Sequence, residues 1–119
     1  MEASRPRALV VEDDAALRTL VRVNLELEGF EVADAGTYRD ADAAIAAGGF
    51  DVVLLDVHLC GRDTHDLLDR LRASGVPVAL VTGVADAHDQ LDRADAVLRK
   101  PFDPAALVEL AQRLARVRA

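Results

Sequence analysis

Residues 52–56 read VVLLD, four apolar residues in succession and then a carboxylate. A charge beside buried hydrocarbon is costly unless it is paired or binds a cation. Taken alone, Asp56 reads as the start of a turn, a place Asp often takes after a strand. Three other apolar runs end in related chemistry. ALVV at 8–11 leads into Glu12-Asp13-Asp14, VALV at 78–81 into Thr82-Gly83, and AVL at 96–98 into Arg99-Lys100-Pro101. Crowded carboxylates repel one another and need a counter-charge near neutral pH. Mg2+ supplies one, because it takes oxygen ligands and uses one or two carboxylates. Lysine adds a compact cation that can reach a phosphate, and the Thr82 hydroxyl can donate to a phosphoryl oxygen. Such a set suits phosphoryl transfer, in which cations neutralise the transferring oxygens while a nucleophile is held in line. A carboxylate can itself be that nucleophile and form an aspartyl phosphate. The plainer reading makes the acids helix caps, Lys100 a surface residue and Thr82-Gly83 a turn.

For these groups to meet, the four runs must be neighbouring strands that end on one rim. Between them lie helical patterns. Asp14 is a plausible N-cap for residues 15–28, in which Leu17, Leu20, Val21 and Leu27 or Leu25 fall near helical spacing, with Gly29 as the stop. EVADA at 31–35 alternates polar and apolar residues like a half-exposed strand, and a helix of about Thr37–Ala47 follows, ending at Gly48-Gly49. A third helix is expected over about Thr64–Ala73, with Leu67, Leu68 and Leu71 inward. The segment ADAHDQLDRA at 85–94 is a poor fourth helix with few apolar anchors. Asp103 then caps a last helix with Pro104 at its first position, and Leu107, Leu110, Ala111, Leu114 and Val117 form its apolar stripe. Five strands alternating with five helices imply an α/β fold with one doubly wound, five-stranded parallel sheet. The non-alternating runs at 8–11, 52–55 and 78–81 suit central strands. Ligands bind such sheets at the carboxyl ends of the strands, where the winding reverses.

The 119 residues suit one domain, with no linker, repeat or low-complexity tract. The core must be aliphatic, since only Phe30, Tyr38, Phe50 and Phe102 are aromatic. With 21 acidic and 14 basic residues, the net charge of -7 disfavours nucleic-acid binding by this chain. Cys60 is the only cysteine, so no internal disulfide exists, and its ordinary role is an inert loop thiol. His58 and His65 beside it form only a weak zinc-like pattern. The N-terminus lacks the longer apolar stretch of a signal peptide, and no segment is apolar enough to span a bilayer. A cytoplasmic protein is expected.

VVEDD at 10–14, LLD at 54–56, VTG at 81–83 and KPF at 100–102 together resemble the receiver domain of two-component response regulators. Each motif is weak alone, but the four stand in order at strand ends over about residues 7–117, and a single domain over 1–119 is expected. The resemblance implies a flavodoxin-like strand order 2-1-3-4-5. It implies that Asp56 accepts a phosphoryl group from a histidine kinase or histidine phosphotransfer protein. It implies Mg2+ (or Mn2+) held by Asp13, by Glu12 mostly through water, by Asp56 and by the backbone carbonyl of His58, with Asp14 left as a cap. Thr82 would close onto the phosphoryl group and Lys100 would pair with it. The Lys100–Pro101 bond would be cis. Partners, or a second copy in a homodimer, would dock on the fourth helix, fifth strand and fifth helix. The only expected catalysis is Mg2+-dependent self-phosphorylation and autodephosphorylation.

The chain departs from the pattern of that family at several places. The loop after the phosphorylated Asp usually carries a Pro and later a Gly, where this chain has Cys60 and Thr64. The aromatic usually found three residues before the lysine is replaced by Val97, which cannot repeat the large rotamer change that usually couples the site to the output face. His58 stands where its side chain can overhang the site. Two rival readings remain. One is a pseudo-receiver that binds partners without phosphorylation. The other is a haloacid-dehalogenase-like phosphatase, whose second acidic residue would fall at His58. With no output domain in the chain, either a lone receiver or a piece of a longer effector is expected.

Overall fold

The computed structural model describes residues 5–83 and 93–118. Strand β1 (Arg7–Val11) leads through α1 (Ala15–Leu27) to β2 (Glu31–Ala35), and α2 (Tyr38–Ala47) leads to β3 (Val52–Asp56). A two-rung antiparallel ribbon, His58–Leu59 against Arg62–Asp63, comes next. Then come α3 (His65–Ala73), β4 (Val78–Thr82), β5 (Ala96–Arg99) and α4 (Pro104–Arg118). The five main strands are parallel in the order β2-β1-β3-β4-β5, the expected doubly wound α/β sheet. The described residues hold four helices where five are expected. The weak pattern at 85–94 falls almost wholly within 84–92, outside the described residues.

Successive side chains on a strand point to opposite faces. Val53 and Leu55 therefore join Leu67, Leu68 and Leu71 of α3 on one face, while Val52 and Leu54 join Val21 and Leu25 of α1 and Leu107 of α4 on the other. All five residues of VVLLD are buried, as in a strand covered on both sides. Each fully buried leucine contributes on the order of 1.5–3 kcal/mol to such a core. The edge position of β2 accounts for its half-exposed pattern.

Caps and turns set where the strand ends meet the helices. Asp14 Oδ1 accepts from Leu17 N (3.1 Å), Thr37 Oγ1 from Asp40 N (3.1 Å), and Asp103 Oδ1 from Ala105 N (2.9 Å). Gly29, at φ +95°, ends α1 in a conformation that L side chains resist.

One expectation about α1 is corrected. Val21 and Leu25 face the core, but Leu20 and Leu27 are 45% and 77% exposed. At about 100° per residue, a helix that buries 21 and 25 must turn 20 and 27 away from the sheet. Leu20→Gln and Leu27→Gln are accordingly expected to change unfolding free energy by less than about 0.5 kcal/mol each, read from urea transitions.

Candidate phosphoacceptor and metal site

The carboxyl ends of β1, β3, β4 and β5 form one rim. Asp56, the last residue of β3, is 5% exposed, and Glu12, one residue past β1, is 4% exposed. Asp13 is exposed beside them. Carboxylate oxygens of Glu12, Asp13 and Asp56 all lie within 4.8 Å of one another. Lys100, just past β5, spans the two buried acids: its Nζ lies 2.8 Å from Glu12 Oε1 and 3.1 Å from Asp56 Oδ2. Its backbone N–H donates to Thr82 O (2.8 Å), which fixes the loop to the end of β4, and the Lys100–Pro101 bond is cis.

Electrostatics follow from this crowding. Burial pushes the Glu12 carboxyl above its ordinary value of 4.5, and the Asp56 charge pushes the same way, against the opposing hydrogen bonds from Lys100 and the Asp14 N–H. Asp13 is held below 3.8, chiefly by the Cys60 backbone N–H that donates to its Oδ2 (2.8 Å). Burial alone would lower Lys100, but its links to Glu12 and Asp56 outweigh that and hold it above 10.5. Thus Asp13 favours folding above its unfolded value and loses this as pH falls through its folded one. Glu12 does the reverse, weakening the fold as pH rises through its folded value.

Three hard oxygen donors facing a single ammonium leave a net negative cradle. Its chemistry fits Mg2+ or Mn2+, which take carboxylate oxygens, rather than a soft metal that seeks thiolate or imidazole.

The remaining expected residues lie at the strand ends, on the ribbon and on β5. Asp14 is the α1 cap and also donates its N–H to Glu12 Oε2 (3.0 Å). His58 is exposed on the ribbon, with its backbone N–H 3.3 Å from Asp56 Oδ1. Thr82 is fully buried at the end of β4, and its Oγ1 donates to Gly83 O (3.0 Å). Val97 lies on β5 beside Leu80, on the outer part of the sheet, and is 36% exposed.

Three features of the site were not legible in the sequence. Cys60 and Gly61 both adopt positive φ (+53° and +78°) between the ribbon strands, as the tightest hairpins require. Proline, locked near φ -65°, could not occupy the Cys60 position in this turn and has no N–H for Asp13. The Arg18 guanidinium donates to Glu12 O (2.8 Å), so α1 also braces the site. The fully buried Thr64 donates its hydroxyl to Asp56 O (2.7 Å) and Val57 O (3.1 Å). Only the Thr in place of the usual Gly marked the last position, and nothing local indicated where its hydroxyl points.

Among solved structures, a response regulator receiver domain protein (CheY-like) from Methanospirillum hungatei JF-1 superposes with a TM-score of 0.86 at 30% identity, covering 97% of each chain. The DNA-binding response regulator MtrA of Mycobacterium tuberculosis is 40% identical over 124 residues, covering 100% of this chain and 52% of MtrA. The transcriptional regulatory protein AruR of Pseudomonas aeruginosa is 37% identical, covering 93% of this chain and 50% of AruR. The chain thus spans about half the length of these two relatives. The family described as the response regulator receiver domain matches residues 8–112, from within β1 into α4, and the chain belongs to that family.

Proposed function

We propose that this chain, as one domain, is the phosphoacceptor module of a two-component or phosphorelay system, with Asp56 as the acceptor. The observation that carries the reading is the convergence of the Glu12, Asp13 and Asp56 carboxylates within 4.8 Å, with Lys100 reaching two of them. A histidine kinase or histidine phosphotransfer protein is the donor. An Asp56 carboxylate oxygen attacks phosphorus in line, the P–N bond of the donor breaks, and the imidazole leaves with the bonding electrons. Glu12, Asp13, Asp56 and the His58 carbonyl would hold Mg2+, which would supply positive charge to neutralise phosphoryl oxygens. Lys100 pairs with the new phosphate, and the Thr82 hydroxyl turns towards it. The added charge of about -1.5 to -2 then biases a two-state surface that includes β5, Val97 and α4, where a partner or a second copy docks. The protein acts in the cytoplasm and does not itself bind nucleic acid. No helix among the described residues is long and apolar enough to cross a membrane.

Incubation with acetyl phosphate and Mg2+ is expected to add one phosphoryl group, seen by intact mass and absent with EDTA. Lack of any addition at saturating Mg2+ would overturn the reading in favour of a pseudo-receiver. Turnover of simple phosphate esters would favour a phosphatase.

Mg2+ alone is also expected to stabilise the fold. At tenfold excess over its dissociation constant the gain is about 1.4 kcal/mol by mass action. Calorimetry in Mg2+ and then EDTA checks this, and an unmoved transition would show that the cradle takes no ion.

A further inference from the structure

We infer that Thr64 is a positioning residue for the phosphoacceptor: its buried hydroxyl clamps the backbone of Asp56 and so sets where the carboxylate stands. The inference rests on the proposed role of Asp56. The helix caps of this fold differ in what their side chains bond. Asp14, Thr37 and Asp103 each turn a side-chain oxygen onto a backbone N–H of their own helix. Thr64 occupies the N-cap position of α3 and makes no such bond. His65 N donates to Asp63 Oδ1 instead (3.1 Å), so the preceding residue serves this helix end.

The hydroxyl is directed back to the sheet. Thr64 is fully buried, and Oγ1 donates at 2.7 Å to Asp56 O and at 3.1 Å to Val57 O, while its backbone N–H donates to Val57 O at 3.0 Å. The register between β1 and β3 ends at Val11 and Leu55, so Asp56 lies one residue past the last rung on that side. On the other side, Val57 N still reaches Val81 O (3.0 Å). Thr64 therefore extends order to the place where the ladder stops. Its own carbonyl accepts Leu68 N (3.0 Å), which ties the clamp to α3. A carboxylate that must meet Lys100, Glu12 and Asp13 at once depends on the peptide that carries it. Groups that orient the ligands of a metal site are typically worth about 10–100-fold in affinity or activity.

The test compares Thr64→Val, which keeps the shape but lacks the hydroxyl, with Thr64→Ser, which keeps the hydroxyl. Phosphorylation by acetyl phosphate is followed by intact mass, Mg2+ affinity by titration, and the beryllofluoride complex by 19F NMR. Thr64→Val is expected to lose about 10-fold in phosphorylation rate or Mg2+ affinity and to shift the fluorine lines, and Thr64→Ser to recover most of both. Leu25→Val, a core change on the opposite face of the sheet, controls for lost stability and should leave the rate unchanged. If Thr64→Val does not fold, Thr64→Ala takes its place. Wild-type rates and fluorine lines in either hydroxyl-free variant, with only stability reduced, would overturn the inference. Failure of the wild-type protein to take up phosphate would instead sink the proposed function.

Discussion

Replacing Asp56 with Asn is expected to reduce phosphoryl uptake to background while leaving a folded protein. The amide has nearly the same volume and retains an oxygen that can accept from the His58 N–H, 3.3 Å away in the native site. It has no negative charge, and its nitrogen lone pair is delocalised, so it cannot act as the nucleophile. Glu12→Gln and Asp13→Asn should behave differently. Each removes charge from the cation cradle but leaves the acceptor, so uptake should slow and recover in part as Mg2+ is raised. Intact-mass kinetics across a Mg2+ series separate the two classes. Undiminished uptake in Asp56→Asn would place the acceptor on another side chain.

The second large effect concerns the apo fold. Lys100 is the cation that Glu12 and Asp56 share, and both of those side chains are less than a tenth exposed, at 6% and 7%. Lys100→Met keeps the apolar stem and removes the charge. Breaking a buried ion pair by deleting one partner costs roughly 3–5 kcal/mol. Because the Lys100 side chain is 30% exposed, the low end, about 3 kcal/mol, is expected here. The loss should depend on pH. Burial already holds the Glu12 carboxyl above 4.5, and removing the lysine raises it further. Below the folded value Glu12 is neutral and needs no counter-charge. The difference between variant and wild type should thus be smaller at an acidic pH below the folded value of Glu12 than at neutral pH, and Mg2+ at neutral pH should shrink it too. Urea unfolding at both pH values, with Mg2+ or EDTA, checks both statements. An equal loss under all conditions would mean that Lys100 serves only packing.

Val97 bears on the response to phosphorylation. Valine has one side-chain torsion and little reach, so it cannot swing between an outward and an inward position as a large aromatic can. Val97→Tyr is a direct means of restoring that motion, and it would act downstream of uptake at Asp56.

The strands, their parallel pairing and the convergence of acids on one rim were legible in the sequence. Apolar runs bounded by helical patterns leave few ways to wind a sheet, and right-handed crossovers bring the strand ends together. The residues that close each run therefore had to be neighbours: Glu12 and Asp13, Asp56, Thr82 and Lys100. Other features depended on the assembled fold. Leu20 and Leu27 looked as apolar as Leu25, and only the rotation at which α1 sits on the sheet turned them outward. The positive φ at Cys60 and the direction of the Thr64 hydroxyl had no local signature. A donor chooses among acceptors that distant segments deliver, and the Asp56 carbonyl becomes available to Thr64 only where the ladder with β1 has run out.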